Sequence, residues 1–137
     1  LRMLRAVRFA SRFLFRIEEK TADAIRRNAG DLHTISAERI LNELKLMLEH
    51  PSRVVACDWL CELNLLSTVM PELQEPARHW EQSRLVLTGL CPGGQEVRFP
   101  LALAGFLSAL SPSEAGRVGD AILTRLRASN EELDRTR

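Results

Sequence analysis

The chain has 137 residues, with 19 Lys and Arg against 18 Asp and Glu, and is 45% hydrophobic and 27% charged. These are globular proportions, so intrinsic disorder and collagen-like or mucin-like architecture are excluded, and a net charge of +1 leaves any attraction to nucleic acid or membrane to local patches. The most apolar stretch, Phe99 to Leu110, is twelve residues long with a serine inside it, against the ~20 needed to cross a bilayer.

Cys57, Cys61 and Cys91 form no CxxC pair and stand apart from His33, His50 and His79, so zinc spacing is absent. Three cysteines in a chain of this size do not make a disulfide framework, and a reducing cytoplasm is the expected location. The first residues contain no uninterrupted apolar run of the signal-peptide kind. The pattern at Leu1 is already amphipathic, with neither an initiator methionine nor a capping residue before it. Ser129-Asn130-Glu131-Glu132 reads as a capping box opening a further helix with only five residues after it. Both ends therefore read as cuts, and the expectation is an internal fragment.

Taken in chain order, residues 1 to 17 carry a helical period, with Met3, Leu4, Ala6, Val7, Ala10, Phe13, Leu14 and Ile17 predicted on one apolar face. A second helix is predicted from Glu18 to Ala29, burying Ala22, Ile25 and Ala29 and ending at Gly30 as a left-handed C′ residue. Ser36 is a good N-cap for a third, whose Ala37, Ile40, Leu41, Leu44, Met47 and Leu48 recur at three-and-four spacing until Pro51. A fourth is predicted from Pro51 to Leu65, burying Ala56, Trp59, Leu60 and Leu63, with Cys57 and Cys61 as small core residues. Pro76 opens a segment reaching Leu90, which Pro92-Gly93-Gly94 breaks; Phe99 to Leu110 is apolar nearly all round; and Ser111-Pro112-Ser113-Glu114 combines a capping box with proline at N1, opening a helix to about Ala128. Nothing alternates with period two and Tyr is absent, so the predicted fold is all-α, an array of about seven helices.

Arg2, Arg5, Arg8, Arg12 and Arg16 follow one another at three, three, four and four residues, which at ~100° per residue confines them to a sector of about 120°. Residues 1 to 17 hold no acid and carry +5, while residues 18 to 137, with fourteen bases and eighteen acids, carry −4. A charge run is commonly just a solvated face. Here, though, like charges at i, i+3 and i+4 repel, and arginine supplies a planar fork suited to base edges and phosphates. An anionic partner is the expectation. Phe9 falls within the stripe and can stack on a base, although burial against a neighbouring helix is the commoner role.

The run Leu1-Arg2-Met3-Leu4-Arg5-Ala6-Val7-Arg8-Phe9-Ala10, with Phe15-Arg16-Ile17-Glu18 and Thr21, resembles the start of the neck in bacterial tRNA nucleotidyltransferases and poly(A) polymerases, the class II CCA-adding family. Ser36-Ala37-Glu38-Arg39-Ile40 with Glu43-Leu44, then Leu60-Cys61-Glu62-Leu63-Asn64-Leu65-Leu66 and Val69-Met70-Pro71-Glu72-Leu73, resemble the blocks that follow. The resemblance divides the chain into a neck-like region, 1–73, and a body-like region, 74–137.

It implies that a Glu-Asp pair stands just upstream of Leu1, and that its Asp pairs with Arg2 to read the Watson-Crick edge of incoming CTP or ATP. Arg5 would help hold the base, the triphosphate or that acid. Arg8, Arg12 and Arg16 would contact phosphate or primer, or form salt bridges to the missing N-terminal catalytic head. Arg39 would be structural, bonded elsewhere. The implied partner is tRNA or another RNA 3′ end, with no membrane.

The implied chemistry is nucleotidyl transfer with two Mg2+ ions on carboxylates of that head, so no catalytic or metal-binding residue is expected within this chain, and the chain alone is expected to be inactive. Ser108-Ala109 stands where relatives with an HD-type segment carry a metal-binding His-Asp pair, which makes residues 74–137 resemble a degenerate version; His79 is expected to be a helix-start polar residue and not a ligand. Poly(A) addition and a non-catalytic helical module docking an acidic protein are the competing functions.

Overall fold

The structure, a computed structural model, describes residues 1–90 and 95–126, except the side chain of His33. Among the described residues every regular element is helical, with eight α-helices and one 3-10 helix, so the all-α expectation holds with one α-helix more than anticipated. Among them, too, no helix is long and apolar enough to cross a membrane.

Helix α1 (Arg2–Phe13) buries Leu4, Val7, Ala10 and Ser11. It stops earlier than its apolar pattern suggests, because Leu14 turns left-handed at φ 57° and ψ 38°. Leu14 N–H and Phe15 N–H both bond Ala10 O, the second at 3.1 Å, which closes the helix end. Phe13 and Leu14 are consequently exposed instead of sharing the core face. Phe13 lies nine residues from Leu4, about 180° around a helix of ~100° per residue, and Leu14 is beyond the last turn.

Helix α2 (Glu19–Asn28) runs directly into a 3-10 helix (Ala29–Thr34). Gly30 is not left-handed and does not end the helix. The buried Leu32 draws the chain inward, and extended Ile35 makes the stop, its N–H bonding Leu32 O at 3.0 Å. Helix α3 (Ala37–Glu49) begins as expected, Ser36 Oγ accepting Arg39 N–H at 3.3 Å.

Helix α4 (Arg53–Glu62) starts two residues after Pro51, because His50 Nδ1 accepts Ser52 N–H at 3.1 Å and forms the turn. It buries Ala56, Cys57 and Leu60, with Trp59 and Cys61 only partly covered. Burial pushes the Cys57 thiol well up, in keeping with a core residue. Asn64 closes this helix in the left-handed region, where its short polar side chain is tolerated, and Leu65 N–H reaches back to Leu60 O at 2.9 Å. Helix α5 (Leu66–Val69) is the short, unanticipated turn that follows.

Helix α6 (Pro76–Gly89) buries His79, Trp80, Ser83 and Leu87. His79 Nε2–H donates to Phe106 O at 2.7 Å, tying α6 to α7 (Phe99–Phe106). Helix α7 ends well before Leu110 and, although apolar all round, is buried on one face only: Ala102, Leu103, Gly105 and Phe106 are buried while Leu101 is half-exposed. Gly105 permits this packing, since a Cβ there would stand 3.2 Å from the Leu87 side chain. Helix α8 (Pro112–Leu126) opens with Ser111 Oγ accepting Glu114 N–H at 3.4 Å and buries Val118, Ile122 and Leu126. Cys91, Pro92-Gly93-Gly94, the helix end near Ala128 and the Ser129–Glu132 capping box lie outside the described residues. One apolar core runs from Leu4 to Leu126, with α1 laid on α3 and α4, and α3 in turn on α7 and α8.

Candidate nucleotide and RNA interface

The arginine stripe of α1 meets α3 at a single buried acid. Glu43 follows Ile40 by three residues and precedes Met47 by four, so it occupies a core-facing position of α3, and its side chain is only 4% exposed. Its two carboxylate oxygens are shared between two arginines: Oε1 accepts Arg5 Nε–H at 3.2 Å and Oε2 accepts Arg8 Nε–H at 2.7 Å. An isolated carboxylate could not be buried this way; two charge-assisted bonds satisfy it.

The two arginines are held differently. Arg8 is 14% exposed, and its guanidinium carbon lies 4.6 Å from the Phe9 ring centroid, within cation–π range. It is a strut between α1 and α3: the resemblance implied a phosphate or primer contact or a salt bridge to the catalytic head, and the salt bridge that Arg8 makes among the described residues is to Glu43 of α3. On the helical wheel Arg8 is the arginine nearest the buried Leu4 and Val7 face, which is why it is drawn in. Arg5 is 54% exposed and bonds Glu43 through Nε only, which leaves both terminal nitrogens unbonded among the described residues. Beside it opens a groove of about 610 Å³ lined by Leu1, Arg5, Arg39, Asn42, Glu43 and Lys45, among others.

The remaining predicted residues disperse along the helix. Arg2 is exposed in the first turn, outside the groove lining, and Arg16 is exposed beyond the end of α1; neither makes a hydrogen bond or ion pair among the described residues. Arg12 makes a long 3.5 Å contact to Leu46 O, and its Nε is enclosed with no partner. Arg39 departs from expectation: Ser36 takes only its backbone N–H, and the exposed side chain lines the groove without bonding elsewhere among the described residues. Phe9 also departs from its commoner role. It lies ~140° from Leu4, and it stacks in the open on Phe13 with centroids 6.2 Å apart.

Glu43, Asn42 and Lys45 were missed as site residues. The signal for Glu43 was a charge at an apolar register position of α3; Lys45 and Asn42 had none, because the groove exists only once α1 crosses α3. At the far end of α3, His50 is held below the ordinary 6.5, by burial first, then by the Arg12 charge and least by that of Arg53, with Glu96 opposing them. The neutral ring suits an Nδ1 that accepts a backbone N–H.

Residues 14–75 match the family described as "Probable RNA and SrmB- binding site of polymerase A", a stretch running from the end of α1 past α5. The chain is also similar to proteins named CCA-adding enzyme. It is 56% identical to that of Pediococcus pentosaceus over 48 residues, covering 35% of this chain and 12% of the relative. It is 39% identical to that of a Geobacillus species over 85 residues, covering 58% and 21%, and 44% identical to that of Lactococcus lactis over 66 residues, covering 48% and 15%. The chain thus spans between 12% and 21% of the length of these relatives. No solved structure gives a significant match. The blocks first noted in the sequence lie within or beside the matched stretch, so the matched family model and the similar CCA-adding enzymes support the likeness to the tRNA nucleotidyltransferase and poly(A) polymerase family.

Proposed function

We propose that this chain is the RNA-binding and nucleotide-selecting helical part of an RNA nucleotidyltransferase that adds CTP- and ATP-derived nucleotides to RNA 3′ ends, as in CCA addition to tRNA. The observation that carries this reading is the end-on clamp at Glu43. It fixes Arg5 by Nε and leaves the planar fork of its terminal nitrogens beside a groove that also has Arg39 and Lys45 on its wall. A guanidinium presented this way can donate two parallel bonds to a base edge or a phosphate, each charge-assisted bond contributing about 1.5–3 kcal/mol. Arg2, one turn earlier and unpaired, supplies the second donor; an acid placed against it would accept from the exocyclic amine of cytosine or adenine. Uracil and guanine present carbonyl oxygens there and are discriminated against.

In this reading the transfer step, with its two Mg2+ ions, is assigned to carboxylates of a catalytic head, as the family resemblance implies. The chain by itself is expected to bind RNA without extending it.

Titration of the chain with tRNA lacking its CCA end, across a salt series, tests the reading. The expected result is a log-log slope of about −0.7 for each single-strand phosphate neutralised, and no binding at low salt would refute it. The matched family's description names polymerase A, which favours poly(A) addition as the second reading. In an enzyme carrying this segment, a product ending in C-C-A supports the first reading and a homopolymer of A the second.

A further inference from the structure

We propose that Phe9, Phe13 and Phe15 form a stacking platform for the unpaired bases of a single-stranded RNA, which rests on the RNA-binding reading above and assigns bases and phosphates to different side chains of the same surface. The three rings are 41%, 64% and 52% exposed, an unusual density of solvent-facing phenylalanine for five Phe in 137 residues. They lie in a row. Phe9 and Phe13 have centroids 6.2 Å apart and planes 19° apart, and Phe13 and Phe15 have centroids 6.4 Å apart and planes 5° apart.

The row is held at both ends. At one end buried Glu43 grips Arg8, and the Arg8 guanidinium lies over the Phe9 ring. At the other, left-handed Leu14 reverses the chain, and Phe15 N–H bonds Ala10 O, which brings Phe15 back beside Phe13. A non-glycine residue in that region costs energy, about 1–2 kcal/mol for a leucine, and here the cost yields a third ring parallel to the second.

Charge complementarity selects the occupant. Each ring is the chain neighbour of an arginine, Arg8-Phe9, Arg12-Phe13 and Phe15-Arg16, and no acid occurs among residues 1–17. Arg16 is unpaired among the described residues, and Arg12 has an enclosed Nε without a partner. With Arg8 already neutralised by Glu43, Arg12 and Arg16 are the cations without an acid partner among the described residues, and aromatic faces beside such cations are the requirements of a single-stranded polynucleotide, whose bases stack in any sequence while its phosphates neutralise the cations. An apolar protein segment would cover the rings but leave the arginines unmatched.

The test compares the full 137-residue chain with its Phe13→Ala, Phe13→Leu and Phe13→Trp variants, using an oligoadenylate of about eight nucleotides and an abasic phosphodiester of equal length. The ring is exposed, so the fold should survive, which circular dichroism checks. Base stacking of ~1–3 kcal/mol per base converts to a loss of about 5- to 150-fold in oligoadenylate affinity for Phe13→Ala and Phe13→Leu, with the salt slope unchanged and Phe13→Trp near wild type. Arg16→Ala should instead lower the slope by ~0.7. The abasic strand should bind the wild type more weakly than oligoadenylate and should not distinguish it from Phe13→Ala.

Equal affinity for both strands, or an oligoadenylate affinity that Phe13→Leu retains in full, overturns the platform while leaving RNA binding standing. No binding of either strand overturns both readings. Self-association of the wild-type chain that Phe13→Ala abolishes would make the row a contact between copies and also overturn the platform.

Discussion

Replacing Glu43 with glutamine keeps its shape and removes the charge that two arginines share. The loss can be bounded from their exposures. Breaking a buried ion pair by removing one partner costs about 3–5 kcal/mol, whereas an exposed pair contributes about 0–1 kcal/mol. Arg8, at 14% exposure, falls near the first case and Arg5, at 54%, near the second, since water readily rescreens its guanidinium. The amide oxygen of the substituted side chain still accepts one bond, so the net expectation is ~2–4 kcal/mol, a large share of the ~5–15 kcal/mol that holds a domain together. In a urea titration this appears as a midpoint lowered by about 1–2 M with the m-value unchanged. The double variant Glu43→Met with Arg8→Met, which removes both charges and leaves apolar volume, should return to within ~1–2 kcal/mol of wild type, because such replacements of buried pairs are often neutral. A loss below about 0.5 kcal/mol for Glu43→Gln would refute the clamp, as would a double variant less stable than Glu43→Gln alone.

Arg5→Lys keeps a positive charge near Glu43 but loses the fork, so stability should change by less than ~1 kcal/mol while affinity for CTP and ATP falls at least tenfold in isothermal titration; full affinity would remove Arg5 from nucleotide selection. Leu14→Gly relieves about 1–2 kcal/mol of left-handed strain and incurs ~0.5–1 kcal/mol of unfolded-state entropy, so its melting temperature should equal or exceed wild type, whereas β-branched Leu14→Val should lower stability by on the order of 1 kcal/mol. Buried Arg53 donates to Leu48 O at 2.8 Å, Glu49 O at 3.3 Å and Gln95 O at 2.8 Å, and Arg53→Met should cost ~2–4 kcal/mol in urea unfolding and speed hydrogen exchange at Val97, whose N–H bonds Glu49 O. Burial holds His79 below the ordinary 6.5 despite its bond to Phe106, and His50 is lowered likewise, so the unfolded chain binds protons more readily and stability should fall as pH drops through 6.5. Asp58 is raised by burial but lowered more by bonds from Arg84 and Trp80, and its contribution is lost only as pH falls below 3.8, so it does not enter the change from His50 and His79 between about pH 7.5 and 5.5. Equal urea midpoints at those two pH values would contradict this, and His79→Gln should shrink the difference.

What could be read from the sequence was what is decided locally. Helices α3 and α8 start where Ser36 and Ser111 cap them, because the serine oxygen and the amide it accepts are three residues apart. The end of α1 was invisible: leucine carries no turn signal, and only the two bonds to Ala10 O make Leu14 left-handed. Asn64, a residue that enters that region readily, closes α4 three residues short of the predicted end, at Glu62. Gly30 misled in the opposite sense, since burial of Leu32 outweighed glycine's freedom to turn.

The candidate site divides along the same line. The stripe of five arginines was legible as a stripe, being a matter of spacing on one helix, but which of them face water depends on Glu43, 35 residues after Arg8 and 38 after Arg5. That contact divides the row into two structural kinds. Arg8, neutralised and covered, becomes framework for the Phe9 ring; Arg5, gripped by one nitrogen, keeps its fork free. A buried acid is a poor way to gain stability, because an apolar residue at position 43 facing an apolar residue at position 8 would pack at least as well. What the acid supplies is direction: it holds the guanidinium of Arg5 at the wall of the groove, so the nucleotide binding proposed above would meet less of the entropic cost of ordering a long, flexible side chain.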